Sequence, residues 1–147
     1  MRKLNALIIS LFLCGSACAA NIVPLSVSNN GIINPKHGSV NISLDPLYPS
    51  KPYEITCTVT NTAAPNKVQL GVVYPIIPGV KTIYSVNNKQ FVRYAELTDA
   101  TNTFIAENIE NTAPLSSVLT LINLDDQYEI NVTSCTAKLV GGVSKTK

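Results

Sequence analysis

Residues 53–61 alternate without a break. Tyr53, Ile55, Cys57 and Val59 take one parity, and Glu54, Thr56, Thr58 and Thr60 take the other. A period of two predicts a strand with one buried and one wetted face, the signature of an antiparallel sheet. The same rhythm recurs along the chain. Ile22 to Ser28 reads as a strand ended by Asn29-Asn30-Gly31. Ser39 to Leu44 places Val40, Ile42 and Leu44 together, and Lys67 to Tyr74 points Val68, Leu70, Val72 and Tyr74 inward. Lys81 to Val86 and Gln90 to Leu97 predict a hairpin about Asn87-Asn88, because Asn tolerates the left-handed conformation of tight turns. Thr101 to Ile109 is a weaker strand. Val118 to Leu124 is apolar at both parities and reads as a central strand.

The last strand, Tyr128 to Val140, changes parity. Tyr128, Ile130 and Val132 share one face, whereas Cys135, Ala137 and Leu139 fall on the other. One extra residue near Thr133-Ser134 brings both sets inward, so a β-bulge is expected there. Pro and Asx-Gly breaks separate all these segments, and no window carries helical periodicity. The prediction is an all-β, two-sheet antiparallel sandwich of about eight strands. Without any Trp, its large core residues should be Tyr53, Tyr74, Tyr128 and Phe104.

The start of the chain changes the picture. Arg2 and Lys3 precede an apolar run from Leu4 to Leu13, followed by the small residues around Ala17-Cys18-Ala19-Ala20. This order predicts a cleaved signal peptide over 1–20, then the sandwich over 21–140 and a polar, flexible tail over 141–147. Gly15-Ser16-Ala17 before Cys18 fits a lipoprotein signal poorly, so ordinary cleavage is preferred to lipid anchoring. Cleavage removes Cys14 and Cys18 and leaves Cys57 and Cys135 in a compartment where disulfides persist, periplasmic or extracellular. A bridge between them is expected to staple one sheet to the other across the core.

Two of the eleven Lys and Arg lie in the leader, so nine basic residues remain against nine acidic ones. A near-neutral chain offers no basic stripe for nucleic acid. No later apolar run reaches the ~20 residues that span a bilayer. Asn41-Ile42-Ser43 and Asn131-Val132-Thr133 match the glycosylation sequon, a triplet that arises often by chance.

Tyr53-Glu54-Ile55-Thr56-Cys57-Thr58-Val59 resembles the second strand of an immunoglobulin-like domain, with Cys135 in the place of its inter-sheet partner. The resemblance implies the sandwich architecture. It implies no activity, because that fold hosts many.

Convergent catalytic groups are scarce. His37 is the single histidine and sits in Asn34-Pro35-Lys36-His37-Gly38, which reads as a solvated loop. No Gly-x-Ser-x-Gly turn presents a serine. Asp125-Asp126 with Glu129 is the one cluster that could offer calcium oxygens, and it reads more simply as a turn. Asp99 and Glu107 could be paired acids only if the fold brought them together. The reading is a non-catalytic chain with no metal and no cofactor.

The remaining candidate is a contact loop, Tyr74-Pro75-Ile76-Ile77-Pro78, apolar where turns are usually polar. If exposed, it would mark a partner surface. The simpler expectation is that Ile76 and Ile77 fold back to close one end of the sandwich. The function expected is an exported module that binds another protein through loops or a sheet edge. A small secreted inhibitor or hydrolase is the alternative, with the Pro75 to Pro78 loop as the inhibitor's wedge. A fimbrial-type assembly subunit is another, although such subunits carry an aromatic next to last and this sequence ends Ser144-Lys145-Thr146-Lys147.

Overall fold

β4 (Tyr53–Asn61) keeps the strict alternation of its sequence, with every second residue buried. It lies at the centre of the larger sheet, between β11 (Ile130–Leu139) and β9 (Thr101–Ile109), both antiparallel to it. The computed structural model describes residues 22–140. The leader expected over 1–20 and the tail expected over 141–147 lie outside the described residues.

Eleven strands form two antiparallel sheets. In the larger sheet β6 (Ile83–Val86) and β7 (Lys89–Phe91) continue beyond β9. On its other edge, β1 (Ile22–Pro24) and β2 (Ile32–Ile33) both pair with β11. The smaller sheet has the order β3 (Ser39–Ser43), β10 (Val118–Asn123), β5 (Val68–Val73), β8 (Tyr94–Leu97). β10 is central, as its apolar run predicts. The weakly patterned β9 is an interior strand as well.

Both neighbours of β4 carry an extra residue. The register of β11 shifts between Val132 and Ser134, the expected bulge, so Ile130, Val132, Cys135 and Ala137 all face the core. β9 shifts between Ala106 and Ile109, where Asn108 takes φ 63°, and both flanking residues are buried. Bulges sharpen the twist of a sheet and help it wrap over its partner. Phe104, Ile55 and Ile130 from this sheet, with Ile42, Leu70 and Leu121 from the other, belong to one buried cluster. Fully burying a side chain such as Phe104 contributes on the order of 2–3 kcal/mol.

Three expectations are corrected. The disulfide joins neighbours within one sheet, not the two sheets: Cys57 faces Cys135 directly across the β4–β11 ladder, with Cα atoms 4.1 Å apart. The last strand pairs beside β4 instead of entering the facing sheet, so both thiols point from the same face into the core. The strand expected over Gln90 to Leu97 is two. It breaks at Val92-Arg93, leaving β7 in one sheet and β8 in the other. The hairpin about Asn87-Asn88 does form, between β6 and β7, with φ of 50° and 68°. Finally, Tyr53 and Phe104 are buried, but Tyr74 is half-buried and Tyr128 exposed. Tyr128 falls in the turn before β11, where Asn123 Nδ2 donates to its carbonyl at 2.7 Å.

The two flanks of the sandwich differ. Residues 22–33 close one flank by touching both sheets: β1 and β2 pair with β11, while Val27 bridges Ile42 and the Ser43 amide donates to the Ser26 carbonyl at 2.9 Å. The segment turns back beside the β11 bulge at Gly31, whose φ is 79° and where an added Cβ would lie 2.0 Å from the Val132 carbonyl oxygen. Gly31→Ala is expected to lower unfolding stability by about 3 kcal/mol, combining left-handed strain with displaced backbone, as measured by denaturant unfolding. The bridge spans 78 residues and both cysteines are buried. Replacing both by Ser should cost about 4 kcal/mol in the chain-entropy model. In the intact chain, reductant with alkylating agent should label neither thiol until denaturant is added.

Candidate functional site

The opposite flank is where β7 and β8 part. Here a groove of about 500 Å³ opens beside the 74–80 loop. Val73, Tyr74, Ile76, Tyr84, Phe91 and Val92 contribute to its wall. The sequence brings them together through three local choices. β5 ends at Val73 and the Pro75 to Pro78 run prevents the strand from continuing. The Asn87-Asn88 turn folds β7 back so that Phe91 lies opposite Tyr84. The break at Val92-Arg93 leaves Val92 without a sheet to cover it.

Ile76 does not fold back. It is 95% exposed and Val92 is 84% exposed, while Ile77 is only half-buried. Thus the contact-loop residues Tyr74, Pro75 and Ile76 line the groove, whereas Ile77 and Pro78 are not in its wall. The contributions of β6 and β7 were not foreseen, since their residues follow ordinary strand alternation and nothing local marks them as groove-lining. The available signal was Val92-Arg93, an apolar-basic pair inside a run that had to change sheets.

The floor is aromatic. Tyr84 lies 5.8 Å from Phe91 and 6.4 Å from Phe104, ring centroid to centroid, and Phe91 lies 6.3 Å from Phe104. The groove is thus seated on the buried core through Phe104. Tyr74 fixes its far wall: its hydroxyl donates to the Glu110 carbonyl at 2.5 Å and accepts from the Glu110 amide at 2.9 Å. A smaller, more polar recess of about 350 Å³, lined by Lys67, Lys89 and Glu96 among others, lies on the other side of Phe91. Lys67 and Glu96 pair there at 3.6 Å, both well exposed, a pairing of little energetic weight.

The residues considered for chemistry lie elsewhere. Asp99 precedes β9 and Glu107 is near its far end, about 20 Å apart at strand rise. Asp125 Oδ2 accepts from the Gln127 and Tyr128 amides at 2.8 and 2.7 Å, closing the turn into β11. His37 is exposed, with φ 70°, in a loop whose backbone bonds to β10: its amide donates to the Asn123 carbonyl at 3.0 Å. Among the described residues, no three His, Cys, Asp or Glu gather where a metal ion could be held. No helix there is long and apolar enough to cross a membrane.

Burial raises Tyr84 to about 12, with the nearby Tyr74 adding to the shift. Tyr74 is also raised, first by burial and then by the charge of Glu110, against an opposing backbone hydrogen bond from Glu110. Both phenols therefore stay protonated in the folded chain where unfolded tyrosines ionise. Their stabilisation is complete below the unfolded value near 10 and is lost as pH climbs toward 12. Absorbance titration of the six tyrosines should show a late-ionising fraction above pH 11, and Tyr84→Phe should remove part of it. Compared with protein-family models, curated proteins and solved structures, the chain matches none.

Proposed function

We propose that this chain is an exported, non-catalytic β-sandwich module that binds another protein through the groove between the 74–80 loop and the β6–β7 hairpin. The carrying observation is an aromatic-floored groove rimmed by Ile76 and Val92, both almost fully exposed. Elsewhere the polar interior is satisfied, since among the described residues no buried side-chain nitrogen or oxygen lacks a hydrogen-bond partner. Leaving large apolar side chains in water is unfavourable by roughly 1.5–3 kcal/mol each relative to burial, and such patches mark contact sites.

Export is supported by the leader pattern and by the Cys57–Cys135 bridge. The immunoglobulin-like reading is supported by two antiparallel sheets around one core. The in-sheet bridge is a departure from it. Prolines pre-shape the loop, so little ordering entropy is lost when a partner covers it. This also suits the inhibitor alternative, in which the same loop enters a partner's cleft.

Ile76→Ser and Val92→Ser should each weaken capture of the native partner from envelope or medium fractions at least tenfold while leaving the thermal midpoint within a degree or two. A large loss of stability with unchanged capture would make both residues structural and overturn the reading.

A further inference from the structure

The exposed apolar side chains are distributed unevenly between the two poles of the sandwich. One pole carries the ends of β3, β5, β7, β9 and β11 and the starts of β1, β4, β6, β8 and β10. Ile76, Leu115, Val92 and Tyr48, exposed by 95, 86, 84 and 68%, all lie in its loops. Ile22, Val73, Tyr94 and Val140 lie at the same end, so eight of the nine large exposed apolar residues described share it. Only Tyr128 belongs to the other pole.

The loops that carry them are fastened together. The Ser50 amide donates to the Asn111 carbonyl and Asn111 Nδ2 to the Leu47 carbonyl, joining the loops of Tyr48 and Leu115. Tyr74 with Glu110 ties in the loop of Ile76. The Val72 amide donates to the Arg93 carbonyl and holds the Val92 link. These apolar tips are therefore held on one scaffold end.

Charge follows the same axis. Lys51, Lys81, Arg93 and Lys138 are exposed at the apolar pole, where Asp45 is the one fully exposed acid and Glu54, Glu107 and Glu110 are half-buried. The opposite pole exposes Glu96, Asp99, Asp126 and Glu129 beside three lysines. The described chain also begins and ends at the apolar pole, with Ile22 opposite Lys138. In sequence, the Leu4 to Leu13 run precedes it and Lys145 and Lys147 follow it.

We propose that this pole is an interfacial docking surface for an anionic lipid bilayer. Tyr48, Ile76, Val92 and Leu115 enter the headgroup boundary, where aromatic and aliphatic tips are favoured, and the four cations meet the negative surface potential. The acidic pole faces away. This goes beyond the groove reading and stands apart from it, because Tyr48 and Leu115 do not line the groove.

The test is co-sedimentation of the full chain with vesicles of phosphatidylcholine alone or with 30% phosphatidylglycerol. The expected result is binding to the anionic vesicles, reduced at least tenfold in Tyr48→Ser/Leu115→Ser and in Lys51→Glu/Arg93→Glu, weakened by high salt, and unchanged in Tyr128→Ser. Circular dichroism of each variant reports folding. Absence of binding by the unaltered chain overturns the proposal. So does equal binding by the Tyr48→Ser/Leu115→Ser variant, which would place adhesion in the leader. Loss of a protein partner in that variant, without vesicle binding, would assign the pole to protein and overturn the lipid assignment.

Discussion

A single extra residue in β11 governs much of the architecture. Without the bulge at Thr133, either Ile130 and Val132 or Cys135 and Ala137 would face water, since a one-residue slip exchanges the faces of a strand. With it, all four are buried and Cys135 stands opposite Cys57. The bulge also sets the opposite wall: Gly31 turns against the Val132 carbonyl where no side chain fits, and the residues around it close the flank against β3. β9 repeats the device with Asn108. The straight strand β4 is thus held between two coiled neighbours, and the smaller sheet packs over the resulting concave face.

Buried asparagines finish the strands that the bulges shape. Asn61, Asn111 and Asn123 follow β4, follow β9 and end β10, and each accepts from the amide two residues on: Ala63, Ala113 and Asp125. Each also donates its amide to a carbonyl elsewhere: Asn61 to Leu97, Asn111 to Leu47 and Asn123 to Ile33. Polar groups buried so completely persist only because every bond is made. They pin loops to the core at both poles, and so hold the 110–117 loop under Leu115 as firmly as the turn before β11.

The strands with strict alternation were legible, because parity is a local property. β4 and the range of β9 match the sequence reading residue for residue, and the parity change disclosed the β11 bulge. The same signal in β9, Ala106 then Ile109, was masked by Ile105, an apolar residue at the outer parity that is only half-buried. Sheet membership was not legible. Whether β11 joins β4 or faces it depends on pairings far apart in sequence, so the pairing of Cys57 with Cys135 could be read but not its place within one sheet. The contact loop was visible as an apolar run between prolines. Its partners Tyr84 and Phe91 were not, since the break at Val92-Arg93 that creates the groove answers to the separation of two sheets.

The paired ends of the described chain carry a mechanical consequence. β1 and the end of β11 lie antiparallel, with Ile22 opposite Lys138, so tension applied to the two ends would open that ladder one rung at a time, as a zipper opens. On the other side of β11 the rungs from Leu139 to Thr136 would part from β4 in turn, until the load reached Cys135. There the crosslink to Cys57 is covalent. The fold can lose its last few residues to a pull and stop, with β4, β9 and the core still shut.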